Sequence, residues 1–137
     1  GMRIGYAFGS PKLIKALNDV KFSFNSYTMN MTSIKYGVAS INDKAYFDEC
    51  VGKIIETREK AKESLTKLGF TFPDSKANFI FATHKSVPAK EIFEKLKAKK
   101  IYVRYFNQPG IDNYLRITVG TDEQMDKLIQ ALSDIVA

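Results

Sequence analysis

Residues 101–106 (IYVRYF) and 114–119 (YLRITV) are two runs rich in β-branched and aromatic side chains, separated by NQPGID with the turn formers Pro109 and Gly110. This pattern predicts an antiparallel hairpin, and the period-two alternation of a strand sorts its side chains. Tyr102, Arg104 and Phe106 fall on one face, with Ile101, Val103 and Tyr105 on the other. On the partner run Tyr114, Arg116 and Thr118 oppose Leu115, Ile117 and Val119. A hairpin with one apolar face needs helices to cover it, which confines the chain to mixed architectures. If Arg104 and Arg116 share a face they stand about 5 to 8 Å apart, a repulsive arrangement unless an anion or a carboxylate lies between them. The planar fork of a guanidinium suits carboxylate or phosphate. The alternative is a pair of solvated surface arginines, or an internal pairing with a residue such as Asp112.

The rest of the chain supplies the helices. RIGYAF (residues 3–8) has strand composition and is closed by Gly9, after which Ser10 and Pro11 suit an N-cap and a first helical position. A short helix with Leu13, Ile14 and Leu17 on one face follows, then a Ser- and Asn-rich linker over 21–30. Met31, Ile34, Val38 and Ile41 recur at three and four, the spacing of a one-sided helix that Asn42 and Asp43 interrupt. From Asp43 to Leu68 an apolar stripe of Phe47, Cys50, Val51, Ile54, Ala61, Leu65 and Leu68 predicts one long helix, with Glu56–Lys60 and Glu63–Lys67 as i,i+4 pairs. At about 1.5 Å per residue it would span close to 40 Å, enough to join two bodies. Gly69 is its natural stop. ANFIFATH reads as a strand, and Ser86 as the cap of a helix with Ala89, Ile92, Phe93 and Leu96 inward. Thr121 and Gln124 form a capping-box pattern ahead of Met125, Leu128, Ile129, Leu132 and Ile135.

Composition narrows the partners. The 137 residues amount to one ordinary domain, and no apolar run approaches the ~20 residues of a membrane span. The start GMRIGYAFGS lacks a secretory pattern and Cys50 is the only cysteine, so a cytoplasmic setting is expected. A net charge of +6 would tolerate nucleic acid, but the lysines are spread over helical patterns rather than massed with aromatics, and no specific nucleic-acid partner is expected. His84 has no ligand-spaced neighbours and suits surface or capping use rather than a metal; Cys50 suits a small buried hydrophobe.

RIGYAFG at the start, ANFIF in the middle and VRYFNQPGIDNYLRITVGT near the end resemble the C-terminal portion of histidinol-phosphate aminotransferases, pyridoxal-phosphate-dependent enzymes of fold type I. The likeness extends over essentially the whole chain. The fold it implies is α/β of the α+β type: a small mixed sheet covered by helices, the family's small C-terminal domain, preceded by a long connecting helix. Residues 1–30 would be the trailing segment of the cofactor-binding large domain plus a linker, and residues 31–137 the small domain. The resemblance gives Arg3 the phosphate of pyridoxal 5'-phosphate, Arg116 the substrate α-carboxylate, and Arg104 the far, phosphate-bearing end of the substrate. It implies transfer of an amino group between histidinol phosphate, or a similar amino acid, and 2-oxoglutarate in histidine biosynthesis, by a homodimer; a related activity in the same group is phosphothreonine decarboxylation. The family's Schiff-base lysine lies upstream of the RIGYA motif. This chain alone is therefore expected to hold no catalytic residue, to bind no cofactor and to be inactive. The residues by themselves leave open a stand-alone anion-binding or regulatory module, or a basic nucleic-acid-binding domain.

Overall fold

A computed structural model describes residues 3–137. In chain order it contains α1 (Pro11–Phe24), α2 (Met31–Asn42), α3 (Lys44–Lys67), β1 (Phe70–Thr71), β2 (Phe79–His84), α4 (Ala89–Ala98), β3 (Arg104–Tyr105), β4 (Leu115–Thr118) and α5 (Asp122–Val136). Two compact units result, Gly1–Asp48 and Glu49–Ala137, the division falling inside α3.

In the first unit both helices start where their caps dictate. The Ser10 hydroxyl accepts from the Leu13 N–H ahead of Pro11, and the Asn30 side chain accepts from the Ser33 N–H at 2.7 Å. Two expectations are corrected here. RIGYAF is not a strand but exposed, irregular chain, because a strand needs a neighbour to pair its N–H and C=O groups and the described sheet is built only from β1 to β4. The expected linker over 21–30 is shorter, because α1 continues to Phe24 and closes with the Asn25 N–H on the Lys21 carbonyl at 2.7 Å. Ser23 stays in the helix by donating its hydroxyl to the Val20 carbonyl at 2.8 Å. No residue of α1 or α2 is buried.

The second unit carries a core. Its four strands run in the order β1-β2-β4-β3, and each described pairing is antiparallel. One face of the sheet is buried and, apart from His84 at the end of β2, apolar: Ile80 lies opposite Ile117 and Ala82 opposite Leu115, and none of these four is exposed. Leu65 of α3, Ile92 and Leu96 of α4, and Met125, Leu128 and Leu132 of α5 cover it. Gly69 ends α3 with φ +84, a left-handed conformation that suits glycine. The capping box of α5 forms in both directions between Thr121 and Gln124. Ser86, however, does not cap α4. The N-cap of that helix is Pro88, which offers no side-chain acceptor, and the Ala89 N–H instead donates to Asn113 Oδ1 at 3.0 Å, a cap lent by the hairpin loop. The hairpin is antiparallel as expected but short, with residues 101–103 outside the ladder. Of the two expected helical ion pairs, Lys60 meets Glu56 at 2.7 Å, while Glu63 and Lys67 make none. An exposed pair of this kind gains only a few tenths of a kcal/mol against side-chain entropy.

Candidate functional site

The outer face of the sheet is where the sequence placed its cations. The register sets Arg104 directly opposite Arg116, and Phe81 opposite Arg116 on the other side. Both arginines are exposed, whereas Leu115 and Ile117, their neighbours on β4, are fully buried. Among the described residues neither guanidinium has an acidic partner; Asp112, the internal partner considered from sequence, makes no ion pair with them. Each guanidinium instead stands over a ring: Arg116 Cζ lies 4.3 Å from the centroid of Phe79, and Arg104 Cζ 5.4 Å from that of Phe106. The ring of Phe81 stacks on Tyr114 at 4.7 Å with 10° between planes, and Phe106 meets it edge-on at 6.4 Å. Two cations with unused donors on an aromatic floor form a surface able to take an anion with two charged ends. Of the tyrosines that flank the arginines, Tyr114 belongs to this floor, Tyr105 stacks on Phe93, and Tyr102 is exposed.

The loop before Phe79 is held by a residue that counting apolar side chains passes over. Arg58 of α3 is 5% exposed; its Nη1 donates to the Ala77 carbonyl at 3.1 Å and its Nε to Glu59 at 3.0 Å. Helical spacing contained the signal, since position 58 falls on the stripe between Ile54 and Ala61. A concave region of the same unit, about 910 Å³, lies between α3 and the start of α5 and is lined by Cys50, Ile54, Thr57, Val119 and Gly120 among others. Cys50 is therefore half-buried at a cleft wall rather than packed in a core. Asp122 at its rim accepts from the Thr57 hydroxyl at 2.5 Å; that bond, then the nearby Lys60 charge, hold its carboxyl below the usual aspartate range.

Arg3 belongs to the first unit. It adopts φ 58 and lines a cleft of about 510 Å³ with Ile4, Tyr6, Ser33, Tyr36 and Ser40. The lining of this cleft is largely apolar but also includes that guanidinium and four hydroxyls, groups whose chemistry suits an oxyanion. His84, read from sequence as a capping or surface residue, is buried and caps: its Nδ1 accepts from the N–H groups of Val87 and Ser86.

Comparison with known proteins gives the family of the chain. The chain is 48% identical over 136 residues to a histidinol-phosphate aminotransferase of Brachyspira hyodysenteriae, covering 99% of this chain and 38% of that one. It is 52% identical over 132 residues to one of Acinetobacter baumannii, covering 96% of this chain and 37% of the relative. It thus spans well under half the length of the curated relatives it matches. Its fold is also that of the Sinorhizobium meliloti histidinol-phosphate aminotransferase solved with pyridoxal-5'-phosphate, at TM-score 0.78 and 22% identity over 92% of this chain and 34% of that structure. The family model for aminotransferase class I and II matches residues 1–132. The chain is a member of the class I and II aminotransferase family.

Proposed function

We propose that this chain is part of a pyridoxal-phosphate-dependent transaminase that exchanges an amino group between histidinol phosphate, or a closely similar amino acid, and 2-oxoglutarate. Residues 31–137 serve as its small domain and residues 1–30 as the trailing segment of its cofactor-binding domain. The observation that carries this reading is the in-register pair Arg104 and Arg116 on an exposed face, neither neutralised within the described chain. Nearly 50% identity to named histidinol-phosphate aminotransferases supports the substrate class.

Each arginine has a task that its chemistry suits. Arg116 holds the carboxylate of the amino or oxo acid through two parallel N–H donors, fixing the reacting end of the substrate. Arg104 holds the far anionic end, the phosphate of histidinol phosphate or the second carboxylate of 2-oxoglutarate. Arg3, with the hydroxyls around its cleft, holds the phosphate of the cofactor. Pyridoxal phosphate, when bound, supplies the electron sink that lets an amine be exchanged for a carbonyl. We assign none of the lysines here to that chemistry, so this chain alone stays inactive. The complete protein acts on small molecules, as a homodimer, and the lone Cys50 accords with a reducing, cytoplasmic home.

The test is a coupled assay of the complete protein with histidinol phosphate and 2-oxoglutarate. Arg116→Ala is expected to lower kcat/KM by about 100-fold or more, the equivalent of losing ~3 kcal/mol of charge-assisted contact, while an Arg116→Lys variant recovers only part. Wild-type turnover that survives Arg116→Ala would refute the assignment.

A further inference from the structure

Two arginines directly opposite each other on an antiparallel ladder, without an acid between them, ought to repel. The register shows how they avoid it. Phe79 pairs with Thr118, and Phe81 with Arg116, so Phe79 is the diagonal neighbour of Arg116 on the Thr118 side. Arg104 pairs with Arg116, and continuing that pairing brings Phe106 beside Tyr114, on the opposite side. Arg116 rests on Phe79 and Arg104 rests on Phe106, so the two guanidiniums lean toward opposite ends of the face. On the Tyr114 side the ring of Phe81 stacks on Tyr114, and the Arg116 guanidinium lies over Phe79 instead. A ring attracts a cation through its face and takes none of its N–H groups, so every donor at the edge of each fork stays free.

We propose that Phe79 and Phe106 are positioning residues that splay Arg116 and Arg104 apart and thereby set the spacing at which the two ends of a doubly anionic substrate are gripped. The idea rests on the functional reading above, but its geometric core can be measured separately. Phe79 is half-buried at the edge of the sheet face, so Phe79→Leu keeps apolar bulk and removes only the ring, while Phe79→Tyr keeps the ring.

In the complete protein, Phe79→Leu is expected to raise KM for 2-oxoglutarate about tenfold with kcat changed less than about twofold, and Phe79→Tyr to restore the wild-type KM. Arginine-selective nitrogen NMR gives the second readout. The Nε–H proton of Arg116 should be shielded by the ring beneath it, lose that shielding in Phe79→Leu and keep it in Phe79→Tyr. An unchanged KM in a folded Phe79→Leu protein, an equal loss in Phe79→Tyr, or an Arg116 resonance that ignores the ring would overturn the proposal. If the complete protein transfers no amino group at all, the functional reading falls, and the resonance alone still decides whether the ring places the guanidinium.

Discussion

His84 is 6% exposed and both of its ring nitrogens are used, which fixes its tautomer. Nδ1 accepts from Val87 N–H at 3.0 Å and Ser86 N–H at 3.3 Å, so the proton resides on Nε2 and is donated to the Leu68 carbonyl at 2.9 Å. One side chain thus satisfies a carbonyl left over at the end of α3 and two amides ahead of α4. His84→Ala strands those groups and empties the space against Phe70, whose ring meets the imidazole edge-on at 4.9 Å. A loss of about 2–4 kcal/mol is expected, read as a lowered urea midpoint with an unchanged slope; a loss below about 0.5 kcal/mol would show the bonds to be incidental. The capping use was readable from the lone histidine at a strand end, but its burial was not, since Leu68 lies sixteen residues away in sequence. The two arginines were legible for the opposite reason. Period-two alternation is local, so it placed both on the polar face without knowledge of anything distant. The rings that carry them were not, because a diagonal contact depends on the register between strands.

At the scale of elements, helices were read well where stripe and cap agree, as in α5, and less well where a polar residue faces inward. Thr57 and Arg58 occupy buried positions of α3, and an apolar stripe by itself gives no sign of a polar side chain that faces inward. Carboxylates then fasten the helices of the second unit: Asp134 of α5 to Lys99 at 2.7 Å, Asp122 of α5 to Thr57 of α3, and Asp74 of the β1–β2 connection to Lys62 of α3 at 2.6 Å. Each carboxyl is held below its ordinary value of 3.8, by the hydrogen bond from Lys99, from Thr57 and from Lys62 respectively. A lowered folded-state value means stability that is fully present above the ordinary aspartate range and is lost as pH falls through the folded-state value. Asp134→Asn should therefore lower the urea midpoint at neutral pH, and the difference from wild type should shrink toward zero near pH 2. A difference that stays constant between the two pH values would mean that the pair contributes through shape rather than charge.

For the whole molecule the contrast between its two units explains how far sequence could reach. Every partner needed by the sheet from β1 to β4 lies within residues 49–137, so alternation, stripes and caps there agree on one answer. Residues 3–48 obey the same local rules, yet most of their apolar side chains face solvent: Tyr6 is 76% exposed, Phe8 92% and Phe24 91%. The strand predicted at RIGYAF failed for this reason, because composition can nominate a strand but only a neighbour can make one. Helices of 14 and 12 residues without buried contacts sit at the margin of what propensity alone sustains. Hydrogen exchange on the isolated chain should divide accordingly. Amides of β2, β4 and α5 are expected to be protected by factors of about a thousand or more, and those of α1 and α2 by less than about tenfold. In the complete protein, where we propose that further sequence covers the same side chains, α1 and α2 should join the protected class. Strong protection of α1 and α2 in the isolated chain would show that the first unit needs no cover, and the reading of residues 1–30 as the edge of a larger domain would fall with it.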